Sequence, residues 1–165
     1  MHKHRTPHGH EAHEALDRVL LQQMLGPENQ RPWAESELAR TASLPGDVND
    51  GLRRLRQSGL IHRWNDLATA SRPAVRFHDI THGVDPDSAH ERRDDRTALE
   101  SLLAHYQQGG GALSDAEFYQ QFGEDKRLDV LNAVARLDGD GLVERRGGHV
   151  KVSEAALRFD ELMTL

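Results

Sequence analysis

The 165-residue chain contains no cysteine, which excludes disulfides, thiol nucleophiles and thiolate-bound zinc. Aromatic residues make up only 5%, few for the stacking platforms of single-strand binders. No apolar run approaches the roughly 18 residues that a membrane span needs. The opening segment is basic and His-rich with no apolar stretch behind it, so a secretory signal is not expected and a cytoplasmic location is the default. Catalytic signatures are missing too. Gly109-Gly110-Gly111 lacks the Lys-Ser/Thr that would complete a phosphate loop. Neither a Gly-x-Ser-x-Gly elbow nor a His-Glu-x-x-His pair occurs. The expectation is a protein that is not an enzyme and carries no cofactor.

Charge and periodicity are what the chain does have. Charged residues make up 29% and hydrophobic ones 36%, and the net charge is −6 with histidine neutral. That charge is unevenly spread. Residues 14–80 hold nine Lys/Arg against nine Asp/Glu, whereas 95–165 hold eight against thirteen. The acidity therefore sits in the second half and in 81–94, and the first half remains able to present a basic face.

An internal repeat organises the sequence. Asp17-Arg18 and Asp95-Arg96 each lie in a stretch with apolar residues at helical spacing, Leu16, Leu20 and Met24 in one and Leu99, Leu102, Leu103 and Tyr106 in the other. Gly26-Pro27 and Gly109-Gly110-Gly111 interrupt them. A short second helix is expected from Trp33 to Arg40, with Leu38 and Ala39 as its buried face. Its counterpart should open at Ser114, with Glu117 three residues on completing a capping box, and carry Phe118 and Phe122. The third helices match best: Val48, Leu52 and Leu55 correspond to Val130, Val134 and Leu137, and Gly59-Leu60 to Gly141-Leu142, all 82 residues apart. Both glycines suit the left-handed residue that closes a helix. Alternating apolar residues then suggest two-stranded ribbons, through Ile61, Trp64, Val75 and Phe77 in the first copy and Val143, Val150 and Val152 in the second. Gly147-Gly148 is a hairpin turn signal.

Three helices and a ribbon, twice over, resemble the winged helix-turn-helix family, particularly MarR- and PadR-like regulators. The segment "LDGDGLVERRGGHVKVSEAALRF", Leu137 to Phe159, carries the likeness most closely. "LRQSGLIHRW", Leu55 to Trp64, repeats it without the Ser-Glu ending. The resemblance implies a mostly helical α+β chain of two winged helices in tandem, at 14–80 and 95–165. A disordered tail is expected at 1–13 and a linker at 81–94. Ser153–Leu165 should form a last helix on the second domain.

In that family the third helix enters the major groove and the wing meets the backbone. The resemblance therefore implies double-stranded DNA as partner and transcriptional regulation as role, the chain acting as a monomeric pseudo-dimer or a homodimer. The implied contacts in the first copy are Asn49, Arg53, Arg54 and Arg56 on the helix, and Arg63, Arg72 and Arg76 on the wing. In the second they are Arg127 before the helix, Asn132 and Arg136 on it, and Arg145, Arg146 and Lys151 on the wing. Leu131 and Ala135 replace polar positions of the first copy, which suits a protein partner for the second domain. The rival reading is a winged-helix interaction scaffold in a chromosome or transcription assembly. A metal-sensing regulator is a further alternative, resting on His2, His4, His8, His10 and His13. A closed site at His78, Asp79 and His82 lacks an anchored fourth ligand, so no metal residues are assigned.

Overall fold

A computed structural model of the protein describes residues 7–26, 28, 30–44 and 46–164. It is mostly helical, with two small antiparallel sheets of three strands each. The chain divides into two compact units. Unit 1 comprises Met1–Val75 and Arg158–Leu165, and unit 2 comprises Arg76–Leu157.

Unit 1 begins with α1 (Pro7–Met24), so His8 to His13 of the expected disordered tail are helical, while His2 and His4 lie outside the described residues. A two-residue strand β1 (Trp33–Ala34) precedes α2 (Glu35–Thr41). Trp33, expected to open the helix, instead pairs its backbone with Ala68, and its buried indole joins the core. Helix α3 (Val48–Gln57) is capped by Asp47, whose carboxylate accepts from the amides of Asn49 and Asp50. Leu16, Leu20 and Met24 of α1, Leu38 of α2, and Leu52 and Leu55 of α3 are buried. Each such side chain is worth about 2 kcal/mol relative to exposure. Strands β2 (Ile61–Trp64) and β3 (Leu67–Ala70) form a hairpin through Asn65 at φ 54°, and the sheet order is β1-β3-β2.

The ribbon expected to run to Phe77 stops at Ala70. Residues 72–82 form α4 (Arg72–His82), so Arg72, Val75, Arg76 and Phe77 are helical, not on a wing. Ser71 causes this: its Oγ accepts from the amide of Ala74, capping the helix, and Pro73 is tolerated in a first turn. The expected linker 81–94 is also largely structured. It contains a 3-10 turn at Pro86–Ser88 and the start of α5 (Ala89–Gln107).

Unit 2 follows α5 with β4 (Leu113–Ser114), α6 (Asp115–Tyr119), α7 (Glu124–Gly139), β5 (Val143–Arg146) and β6 (His149–Val152), in sheet order β4-β6-β5. Ser114 Oγ accepts from the amide of Glu117 and caps α6. Because α7 starts at Glu124, Arg127 is in its first turn rather than before it. Gly147 and Gly148 turn the hairpin at φ 56° and 75°, and Gly59 and Gly141 end their helices at 79° and 80°. The last helix, α8 (Glu154–Met163), is capped by Ser153 as α4 is by Ser71. The unit boundaries fall within α4 and within α8. From Arg158 on, the chain belongs to unit 1, contrary to the expectation that the whole last helix packs on the second domain.

Candidate nucleic-acid interface

On α3 three arginines occur within four residues, but their surroundings separate them. Arg54 turns inward to Asp17 of α1, a carboxylate with no exposure. Its Nε and Nη2 donate at 2.9 and 2.7 Å. Arg158 approaches the same carboxylate at 3.6 Å and binds Glu14 at 2.7 Å. The Asp17 bond is the foremost cause that holds the Arg54 guanidinium above its usual pKa. This fork takes up the Nε–Nη2 edge of the guanidinium and holds it against α1. Arg53, by contrast, is 58% exposed and, among the described residues, pairs with Asp50 at 3.0 Å, an exposed pair that competes weakly with a ligand. Arg56 is exposed at the end of α3, and no partner for it occurs among the described residues.

Unit 2 repeats the buried arrangement. Asp95, fully buried, accepts two bonds from Arg136 of α7, at 3.0 and 2.8 Å, and a third from Arg76 of α4. Burial pushes the Asp95 carboxyl above its usual range, against the pull of Arg136 and Arg76. Arg76 also binds Asp79 at 2.9 Å and Asp140 at 3.1 Å. Arg54, Arg76 and Arg136, expected to contact DNA, are thus internal ion-pair partners. The signal was present in the sequence: Asp17-Arg18 and Asp95-Arg96 open the repeat, and a polar residue at a core position needs a partner.

The remaining expected residues spread over several situations. Arg63 is only 16% exposed and donates to Glu35 at 2.9 Å and to Asn49 at 2.6 Å, so this pair is engaged internally. Arg72 is exposed on α4. Arg127 and Asn132 are exposed on α7, Arg127 with a long 3.4 Å bond to the Phe122 carbonyl. The β5–β6 hairpin exposes Arg145, Arg146 and Lys151; Arg146 and Lys151 lie on its outward face, and Arg145 on the face of Val150, with which it pairs. Arg145 lies 3.8 Å from Asp115 and Lys151 3.2 Å from Glu144, while Arg146 beside the turn has no partner among the described residues. Glu144 dilutes the hairpin's positive charge without cancelling it. On α7, Leu128 at 66% and Leu131 at 39% exposure add an apolar patch, with Leu131 at the place that Asn49 holds on α3. His78 and His82 meet edge to face at 4.9 Å between ring centroids, and Asp79 turns to Arg76, so the three do not converge on one point.

No protein-family model and no curated protein matches the chain, so the MarR and PadR likeness gains no support from them. Among solved structures, the mRNA-binding domain of elongation factor SelB from E. coli, determined in complex with SECIS RNA, is similar at 17% identity. The match covers 87% of this chain and 98% of that one, with a TM-score of 0.30. No helix among the described residues is long and apolar enough to cross a membrane.

Proposed function

We propose that the chain is a nucleic-acid-binding protein made of two winged helices in tandem. In this reading it binds double-stranded DNA and regulates transcription without catalysing a reaction. One observation carries the reading. Once the arginines bound to buried carboxylates are set aside, the exposed cations include Arg53 and Arg56 on α3 and Arg145, Arg146 and Lys151 on the β5–β6 hairpin. In a winged helix these two elements meet the major groove and the phosphate backbone. The order helix, strand, helix, helix, hairpin in each unit supports the assignment.

A salt titration of binding to labelled duplex DNA tests it, with single-stranded DNA and RNA of the same sequence as competitors. Each phosphate contact contributes about 0.9 to the slope of log affinity against log salt. Arg53→Ala with Arg56→Ala, and separately Arg145→Ala with Arg146→Ala, should each flatten the slope by about 1.8 if every arginine meets one phosphate. Stronger competition by RNA would move the ligand class to RNA. Absence of binding at low salt would overturn the proposal. The alternative is then an interaction scaffold, favoured by the exposed Leu128 and Leu131 on α7.

A further inference from the structure

Away from the cationic surfaces, three metal-ligating side chains converge within unit 2. His90 and Asp94 lie one turn apart on α5, and Asp129 comes from α7, which packs against it. One ligating atom from each residue lies within 4.8 Å of the other two. His90 Nε2 and Asp94 Oδ2 are 3.5 Å apart. Two ligands at about 2.0 Å from one tetrahedral ion sit about 3.3 Å apart, so this pair already has nearly the required spacing. Both helices are anchored by buried side chains, so the core, not a loop, fixes the positions from which the three residues project.

The repeat gives an independent observation. Asp95 and Arg96 occupy the places of Asp17 and Arg18: each Asp holds the third-helix arginine, and each Arg donates to a helix carbonyl, of Ile80 on α4 or of Leu162 on α8. Asp94 therefore stands where unit 1 has Leu16, a core residue 1% exposed. The second copy puts a carboxylate, its side chain 15% exposed, at a position this fold fills with leucine. Burying an ion without a counter-charge is costly. Arg136 is near enough for its charge to be felt, but both of its hydrogen bonds go to Asp95. Among the described residues no lysine or arginine makes an ion pair with Asp94 or Asp129, and His90 is the partner Asp94 has. Two carboxylates facing each other repel, and a dication between them reverses the sign of that interaction.

We propose that His90, Asp94 and Asp129 form a divalent-metal site, suited to Zn2+ or a similar transition ion, with water completing the coordination. One imidazole and two carboxylates are a donor set that zinc accepts, and three protein ligands leave a position open. The ion clips α5 to α7, the helix in the place of the third helix of its unit.

The histidines near the start of the chain compete for the same metals. The test therefore uses the full chain carrying His2→Gln, His4→Gln, His8→Gln, His10→Gln and His13→Gln. Calorimetric titration with ZnCl2 should show one saturable ion per chain, and saturating ZnCl2 should raise Tm, because an ion that binds only the folded state stabilises it. Cobalt(II) in place of zinc should give the visible absorption of a bound ion. Asp129→Asn should lower zinc affinity by at least about tenfold, the smaller end of what even outer-shell changes cost. Asp94→Leu restores the residue of the first copy; it should fold in metal-free buffer and lose the Tm response to zinc. No saturable binding in the parent overturns the proposal. So does zinc affinity that is the same in parent, Asp129→Asn and Asp94→Leu.

Discussion

Arg53 and Arg54 are adjacent on α3, and the roughly 100° between successive helical residues sends one to solvent and the other to a buried carboxylate. Their substitutions should differ accordingly. Asp17→Ala leaves Arg54 without its buried carboxylate, and the expected loss in urea unfolding is about 3–5 kcal/mol, as for other broken buried pairs. Arg53→Ala should change stability by no more than about 0.5 kcal/mol, the usual bound for a surface site. A stability change at Arg53 matching that at Asp17 would overturn the distinction. His78 provides a pH-dependent counterpart. Burial, aided by the charge of His82 and opposed by Asp79, lowers its pKa. The unfolded chain therefore takes up that proton first as pH falls, and the stability contribution of His78, complete above about 6.5, is lost as pH drops towards the folded pKa. His78→Gln should flatten the Tm profile between about pH 7 and pH 5; an unchanged profile would exclude His78 as its source.

At the scale of elements, caps and close approaches decide where helices lie. The alternation of Val75 and Phe77 reads as a strand, yet Ser71 caps a helix there just as Ser153 does before Glu154. Ser71→Ala and Ser153→Ala should each cost about 1 kcal/mol in thermal unfolding. The match between Ser71 and Ser153, again 82 residues apart, is legible in the sequence, but two alternating apolar residues point the other way. Gly51 is a different case. It lies within α3, where a Cβ would come 2.8 Å from Leu20 Cδ1 and 3.2 Å from Asp17 Oδ1. The matching residue of unit 2 is Ala133, fully buried, so the two helix pairs do not approach equally closely. Gly51→Ala should raise helix propensity and still destabilise, by about 1–3 kcal/mol from overpacking. A gain in Tm would mean that α1 yields without cost.

On the scale of the whole molecule, the segments that complete each buried cluster come from far along the chain. Unit 1 takes Arg158 onto Asp17 and Glu14, and unit 2 takes Arg76 onto Asp95. Removing residues 158–165 should therefore weaken unit 1 although its own helices remain. Arg158 and the Leu162 carbonyl that receives Arg18 are both lost. Hydrogen exchange should accelerate in α1 and α3; unchanged protection there would show that Arg158 is dispensable. The sequence alone determined the helical periods, the Ser114 cap, the Gly147-Gly148 turn and the 82-residue repeat, because each rests on contacts within a few residues or on comparing like with like. It also marked Asn49, Arg53, Arg56 and the hairpin cations as polar and available in composition. Only the tertiary structure decided which cations remain available, because a guanidinium looks the same in sequence whether its carboxylate is absent or 37 residues away, as Asp17 is from Arg54. It likewise decided the two-residue strands β1 and β4, too short to leave a period and formed by pairing with β3 and β6. The same long-range geometry brings Asp129 to His90 and Asp94, which no spacing along the chain encodes.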